Sequence, residues 1–600
     1  MATTNTIRKM TLSIFLSVAA LAAGPASSAL QFHIPYDQFG RFNNVGTARY
    51  SYELSDAAGL REKVAKGIYP NTLRRERPVL SKAEMKRKLD VWMIPPNECV
   101  DFWSDFDPSW GKSMRINAGT RQYDFAVCLE RAGRFNDAID AYYATAVHFP
   151  SDPTPDQNWP GYWPAYVGIK AMDAIYHLTR THPELGLRYI GADFEVDNGF
   201  DKSIDNDILR IWPGRIVTVA PQDVVPTSTD LAASQVPLRI GSQGSTSALQ
   251  RYKNSHWALT VDGKPFTIKG VVYAGKAHTA LENVPWLDAN ANGNRDNGEP
   301  QTDDFALMAM MGANTVLIDA ANADPDTLNN IYERHGLRFI ISDDLESPYS
   351  DAWPKQKADF TDERAREMLL VTYRQRALKF KDAPYLLAWS FGWEDPAGSL
   401  KRDDLDRRRA YYQFAADAIR EVKGADGRHP VIFTTNDVLH LDIIATTVKN
   451  ADILGINTFR GFHGLGRDLW RTLKQTWDKP VLITSYGMPA HALTAAAGAP
   501  ETLQAMYHQR AWEDIMYQSA GNGGTGIALG GCVFEWTDAW WRQFPRRQKS
   551  AQQHDFISTL QAPFGDGRDY PEWYGILAQD AQGDSRVPRK SFWTYLKLWK

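Results

Sequence analysis

Eight short apolar runs, separated by helical stretches, govern what residues 255–600 of this 600-residue chain can fold into. They are FTIKGVVY (266–273), NTVLID (314–319), RFIIS (338–342), YLLAWSFG (385–392), PVIFTT (430–435), DILGINTF (452–459), PVLITSYG (480–487) and GGCVFEW (530–536). Runs this apolar on both faces suit parallel strands covered on both sides. Helical patterns at 361–380, 404–423, 467–477 and 501–519 lie between them. Eight such alternations predict an α/β fold, a (β/α)8 TIM barrel, over 251–600. An open doubly wound sheet is the alternative, but no Gly-x-Gly-x-x-Gly follows the first run.

Two of the runs end in residues of interest. LLAWSFGWED carries Glu394 just past its apolar stretch, and KPVLITSYG carries Ser485. The C-terminal ends of barrel strands are where barrel enzymes keep their reacting groups.

Composition restricts the remaining possibilities. The chain is 43% hydrophobic and 23% charged, which fits a folded protein over a disordered one. Lys and Arg (67) nearly balance Asp and Glu (71), so no basic excess points to nucleic acid. The N-terminus reads as an export signal: basic Arg8 and Lys9, an apolar stretch from Thr11 to Ala23, and the small residues Ser27, Ser28 and Ala29. A mature chain starting near Leu30, in the periplasm or secreted, is the expectation. No later stretch is long and apolar enough to span a membrane. An oxidising compartment would permit a Cys99–Cys128 disulfide, while Cys532, inside GGCVFEW, reads as a buried inert thiol.

Residues 30–215 read as a mainly α-helical N-terminal domain. From Tyr123 to Pro150, small and large apolar residues recur at the spacing of a helix pair, resembling one tetratricopeptide repeat. Tyr166 to Arg180 reads as a further helix. Such helices suit an accessory domain or a groove for a protein partner. Residues 216–250, with Pro221, Pro226 and several serines, read as a linker.

The segment DANANGNRDNGE (288–299) fits the calcium-loop template. Asp288, Asn290 and Asn292 stand at its first, third and fifth positions, and Gly293 supplies the turn. Asn294 offers a carbonyl, Asp296 stands ninth, and Glu299 at twelve can chelate with both oxygens. Pro285 and Pro300 flank the loop where an EF-hand has helices. A structural Ca2+ is therefore expected here, and no organic cofactor.

Residues 255–600 resemble the catalytic domain of family-2 glycoside hydrolases. WALTVDGKPFTIKGVVY looks like the lead-in to that barrel, and LMAMMGANTVLID like its next helix and strand. PYLLAWSFGWED looks like the fourth strand, ADILGINTFRG the sixth and KPVLITSYG the seventh. GGCVFEWTDAWW looks like the eighth, and is also similar to that segment of fungal β-glucanosyltransferases. The resemblance implies that Glu394 is the general acid/base. It also implies departures. The nucleophile position holds Ser485, the Asn before the acid/base is Trp393, the second-strand Arg is Leu317, and the sixth-strand Tyr is Phe459.

These departures belong together. Arg and Tyr stabilise and orient a carboxylate. Without that carboxylate, a buried Arg would be an unpaired charge and a buried Tyr hydroxyl would lack a partner. Inversion remains open, with Ser485 leaving room for a water opposite Glu394 and a second carboxylate activating it. Asp319 and Glu535 are candidates for that base, with Asp395 and Asp538 behind them. A serine nucleophile would need a base, for which only His463 and His554 offer themselves. Trp536, Trp540 and Trp541, with Trp573 and Tyr574, would form an aromatic wall for sugar rings. Trp393 and Phe459 join them as candidate substrate contacts. The expected ligand is a β-linked glycan. The chain would either process it, or be a catalytically inactive binding or scaffolding protein that keeps the cleft.

Overall fold

The computed structural model describes residues 133–148, 165–197, 208–219, 247–275, 281–343, 360–392, 405–438, 440–460, 464–492, 499–539, 568–579 and 583–600, with a few shorter pieces. Glu394, Trp393, Asp395, Trp540, Trp541, His463, His554, Cys99, Cys128 and the export signal lie outside the described residues.

The N-terminal part is not purely helical. Strand β1 (Leu30–His33) is followed by helices α1 (Phe135–His148) and α2 (Val167–Thr181). Then come two long antiparallel strands, β2 (Leu187–Asp197) and β3 (Ile208–Thr218), in the order β1-β3-β2. Tyr142, Met172, Ile175 and Leu178 of the helices share one core with Tyr189, Phe194 and Ile211 of the sheet. The strands escaped sequence reading because their period-2 alternation breaks in the middle. The register is the same before and after, at Ile190↔Arg215 and Ala192↔Pro213, with Gly191 and Gly214, both at positive φ, out of the ladder between them. A Cβ at Gly214 would lie 2.6 Å from the Ala192 nitrogen, so only glycine fits there.

The barrel is closed, as the alternation predicts. A short hairpin, β4 (Ser247–Arg251) and β5 (Trp257–Val261), precedes its first strand, β6 (Ile268–Tyr273). The short β7 (Trp286–Leu287) and helix α3 (Asp304–Met311) lead to β8 (Thr315–Asp319). Then follow α4 (Pro325–His335), β9 (Arg338–Asp343), α5 (Glu363–Phe380), β10 (Leu386–Phe391), α6 (Leu405–Ala425) and β11 (Val431–Asn436). The last turns are β12 (Ile453–Asn457), α7 (Arg467–Thr476), β13 (Val481–Tyr486), α8 (Ala499–Tyr517) and β14 (Ala528–Val533). Strand β14 returns to pair with β6 in parallel, closing the ring β8-β9-β10-β11-β12-β13-β14-β6. All eight expected strands are present.

Local chemistry marks where the outer helices begin and end. Asp303 accepts from the Ala306 N–H at the start of α3, and Asp324 and Pro325 open α4. Gly312 and Gly336, both left-handed, close those helices. Most strand positions are buried on both faces. Each large apolar side chain so covered contributes about 1.5–3 kcal/mol. The β4–β5 hairpin caps the N-terminal end of the barrel. Ser247 donates to the Leu387 carbonyl at 3.0 Å, and Arg338, the first residue of β9, pairs with Asp262 at 3.0 Å.

The chain's end covers the opposite side of the closure. Strands β15 (Leu577–Ala578) and β16 (Ser585–Pro588) precede helix α9 (Lys590–Trp599). On α9, Tyr595 donates to the Tyr486 hydroxyl at 2.8 Å and lies 2.9 Å from His508 Nδ1. Cys532 is buried between strands, and burial pushes its thiol well up, in keeping with an inert role.

Burial pushes the His508 imidazole down to about 3. An unfolded histidine protonates near 6.5, so below that pH the unfolded chain binds the extra proton and the folded one does not. Stability is therefore lost as pH falls from about 6.5 toward 3, by roughly 2 kcal/mol at pH 5 from this residue. His508→Gln keeps a polar group near Tyr595. It should flatten the fall in melting temperature between pH 7 and pH 5, measured by differential scanning calorimetry. A slope unchanged from wild type would refute this assignment.

Candidate functional site at the barrel mouth

The eight strands end together at one mouth, and their last residues define its chemistry. Strand β10 ends at Phe391, and Gly392 follows with φ near 79°. A Cβ on Gly392 would lie 2.7 Å from the Thr434 carbonyl, so glycine is needed where the chain leaves the strand for the segment containing Glu394.

Ser485 sits near the end of β13, 2% exposed. Register on β12 steps from Ile456↔Ile483 to Asn457↔Ser485, so Thr484 and Ser485 together oppose Asn457. Such a step re-aims side chains locally. Thr484 donates to Asn457 Oδ1 at 2.9 Å, and the Thr458 N–H donates to the Ser485 carbonyl at 2.9 Å. Beside them, Ser390 and Thr434 share a hydrogen bond of 3.1 Å. Small hydroxyls and an amide thus line the interior of β10–β13.

Leu317 and Phe459 occupy apolar settings. Leu317 is buried on β8, opposite Val272 on one side and Ile340 on the other. Phe459 meets Phe534 edge-on at 5.4 Å and Tyr574 at 5.7 Å, and those two rings are 5.6 Å apart. The three rings form one cluster beside Ser485, beyond the ends of β12 and β14. Trp573 stacks on His491 at 4.4 Å, just outside it.

The three candidate carboxyls among the described residues fare differently. Asp319 is exposed and accepts from the Ala321 N–H at 2.7 Å, capping a short turn. Asp538 is fully buried and takes two hydrogen bonds of 2.6 Å from Arg589. Burial pushes its carboxyl up from the usual range, and Arg589 opposes that. It is a structural tie rather than a base. Glu535 is buried just past β14, with its backbone held by Tyr574 and Ile576 at 3.3 and 2.9 Å. Trp536 turns away from any wall: it is 1% exposed and packs against Phe592 of α9.

Sequence reading missed the pair Asp437–Arg460. Both are buried and both follow strand ends, of β11 and β12. Arg460 grips Asp437 through Nε at 2.8 Å and Nη2 at 2.6 Å, and the Thr458 hydroxyl donates to it at 2.8 Å. Burial works to raise the Asp437 carboxyl, but Arg460, Thr458 and the Val438 N–H hold it below its ordinary range. The signal was available in FTTND and NTFRG, adjacent runs each ending in a charge.

The 288–299 loop lies apart, between two chain segments joined as a β pair rather than two helices. The Leu287 N–H donates to the Pro300 carbonyl at 2.9 Å and the Thr302 N–H to the Pro285 carbonyl at 3.0 Å. Asp288 is buried at its root and accepts from the N–H groups of Asn292 at 3.1 Å and Gly293 at 2.9 Å. Glu299 reaches back to the N–H groups of Ala289 and Asp296 at 3.1 and 3.0 Å. The Asn290 and Asn292 amides lie 2.8 and 2.6 Å from Asp296, and hold its carboxyl below the ordinary range. The Asn294 N–H donates to the Asn292 side-chain oxygen at 2.7 Å. Among the described residues no three His, Cys, Asp or Glu side chains form a metal cage. In this loop, two of the template's side-chain oxygens come from asparagine.

No protein-family model matches the chain, and no curated protein matches it. Solved structures do. A β-glucuronidase from Bacteroides uniformis is 14% identical, with 59% of this chain and 40% of that one covered and a TM-score of 0.38. A β-D-glucuronidase from Dictyoglomus thermophilum is 13% identical, covering 68% and 64%, with a TM-score of 0.38. A putative β-galactosidase from Bacteroides fragilis is 13% identical, covering 62% and 45%, with a TM-score of 0.36. The chain thus spans less than two thirds of the length of each of these neighbours.

Proposed function

We propose that this protein is an exported glycoside hydrolase-like enzyme acting on a β-linked glycan by inversion, with Glu394 as general acid and Glu535 as general base. The observation that carries this reading is strand order. Glu394 follows the fourth strand of the ring in sequence, and Glu535 follows the eighth. In a closed ring of eight, those two strands stand opposite each other. Retaining enzymes need carboxyls about 5–5.5 Å apart, whereas inverting ones leave about 6.5–9.5 Å for a water. A pair on opposed strands suits the wider spacing. Leu317 and Phe459, set in apolar packing, offer no charge to a nucleophile at position 485.

In this mechanism Glu394 protonates the leaving oxygen, and Glu535 takes a proton from a water attacking the anomeric carbon from the other face. The glycosidic C–O bond breaks as the new C–O bond forms. Ser485 is smaller than a glutamate, which suits the water this step needs. Export rests on Arg8, Lys9 and the apolar stretch behind them. N-terminal sequencing of the mature protein from a host culture tests it, and an intact Met1 in the cell fraction would count against it. Among the described residues no helix is long and apolar enough to cross a membrane.

A second reading, a catalytically inactive glycan-binding protein, draws on Asp437 and Asp538, two mouth carboxyls held by arginines. Hydrolysis of β-linked oligosaccharides, followed by NMR at the anomeric carbon, separates the two. Inverted product is expected. Glu394→Gln and Glu535→Gln should each lower kcat by about 10²–10⁴. The Glu394→Gln loss should shrink on aryl glycosides whose leaving group needs no proton, and the Glu535→Gln loss should not. Ser485→Glu alone should not produce retaining hydrolysis, lacking the Arg and Tyr partners of a nucleophile. Glycan binding without turnover would establish the second reading.

We also propose a structural Ca2+ in the 288–299 loop. Asp288, Asn290, Asn292, Asp296, Glu299 and the Asn294 carbonyl supply the hard oxygens that this ion takes. Calcium at about a hundred times its Kd should stabilise the fold by about 2.7 kcal/mol. The melting temperature should rise with calcium, return with chelator, and respond little in Glu299→Gln. No shift at millimolar calcium would remove the metal.

A further inference from the structure

Several charged pairs hold the seam between the N-terminal part and the barrel. Acids come from the N-terminal part and arginines from the outer helices α7 and α8. Glu130 pairs with Arg510 at 2.6 Å, Asp193 with Arg471 at 2.5 Å, and Asp173 accepts from the Arg467 N–H at 2.9 Å. Arginines also lie on rings across the seam: Arg467 over Tyr176 at 4.3 Å, Arg471 over Phe194 at 4.1 Å and Arg180 over Tyr517 at 3.5 Å. One face of α2 is therefore turned to the barrel, not open to a peptide.

These contacts do not fill the seam. A cavity of about 190 Å3 remains between α2, the start of α7 and the end of α8. That exceeds by many times what a single water requires, and clefts between packed units are common ligand sites. Most of its charges are already engaged. Asp514 accepts from the N–H groups of Leu465 and Gly466 at 2.8 and 3.2 Å and from the Trp470 indole at 3.1 Å. Arg510 is held by Glu130.

Three polar groups on the lining are not so engaged. Arg180 has its ring contact with Tyr517 and no ion pair among the described residues. Arg467 reaches Asp173 only through Nε at 3.7 Å, and its Nη1 is buried with no hydrogen-bond partner among the described residues. Glu513 Oε2 is likewise buried without a hydrogen bond, its nearest cations being Arg510 Nη1 at 3.5 Å and His177 Nε2 at 3.9 Å. Two guanidinium donors and one carboxylate acceptor thus face one small space. Buried polar atoms in folded proteins are nearly always satisfied.

We propose that this cavity binds a small organic acid that also carries a hydrogen-bond donor, a hydroxy acid or an amino acid. Its carboxylate lies against Arg180 and Arg467, and its hydroxyl or ammonium donates to Glu513. Arginine suits the carboxylate through its planar fork of donors. An anion alone leaves Glu513 Oε2 without a donor, and a neutral polyol leaves Arg180 and the Arg467 Nη1 without a charged acceptor. The site is separate from the barrel mouth, so its occupancy does not depend on the proposed hydrolysis.

Calorimetric titration of the full-length protein with malate, aspartate and succinate, at matched ionic strength, tests the site. Malate or aspartate should bind at one site per chain. Which of the two binds tighter separates the hydroxy acid from the amino acid. Succinate, lacking the donor, should bind at least tenfold more weakly. Arg180→Gln should weaken binding at least tenfold, measured at a temperature where the free variant is folded. Glu513→Gln should remove the preference over succinate. Succinate binding as well as malate and aspartate would overturn the proposal, as would unchanged affinity in both variants. So would no heat from malate or aspartate up to about 10 mM, which corresponds to less than roughly 3 kcal/mol of binding.

Discussion

The Arg589 guanidinium lying across Asp538 holds the last barrel strand to the end of the chain. Both groups are buried, and their two bonds of 2.6 Å link positions 51 residues apart. A buried pair of this kind adds little net stability over apolar packing, because both ions lose their water. Losing one partner is another matter, costing about 3–5 kcal/mol through the charge left behind. What depends on the pair is geometry. It sets where Gly575 meets Asp538, where β15 meets Thr537, and where α9 starts. Helix α9 then brings Tyr595 to Tyr486 and His508, across the outside of β13.

The barrel was legible in the sequence for a physical reason. Strands covered on both faces must be apolar at consecutive positions, so each run stands out without any alignment. Gly-capped, Asp-capped helices between them repeat the same message locally. The N-terminal hairpin was hidden because Gly191 and Gly214 interrupt the ladder in the middle of both strands. The ion pairs were hidden because they join distant positions. Asp304 and Arg586 are 282 residues apart, and nothing near either one announces the other. Trp536 shows the limit of reading by composition. A tryptophan just past a strand end looks like a sugar platform, yet this one fills space under α9.

At the mouth, the residues around Ser485 are mutually consistent without a carboxylate there. Thr484 and Asn457 satisfy each other, Phe459 packs on two rings, and Leu317 lies among aliphatic neighbours. A glutamate at 485 would meet small hydroxyls and aromatic edges, with no cation from either position. The guanidinium near this end, Arg460, is held instead by Asp437. Charge at this end of the barrel is thus held in an internal pair that follows the fifth and sixth strands.

Glu535 is tied through its backbone to the C-terminal strands. Its carbonyl accepts from the Ile576 N–H at 2.9 Å, and β15, just beyond, pairs with β16. Strand β16 pairs in turn with β7, and the Asp288 N–H donates to the Arg586 carbonyl at 3.0 Å. Asp304 grips Arg586 from the other side at 2.8 Å. A short run of paired backbone therefore connects the 288–299 loop to the segment that positions the eighth-strand carboxyl.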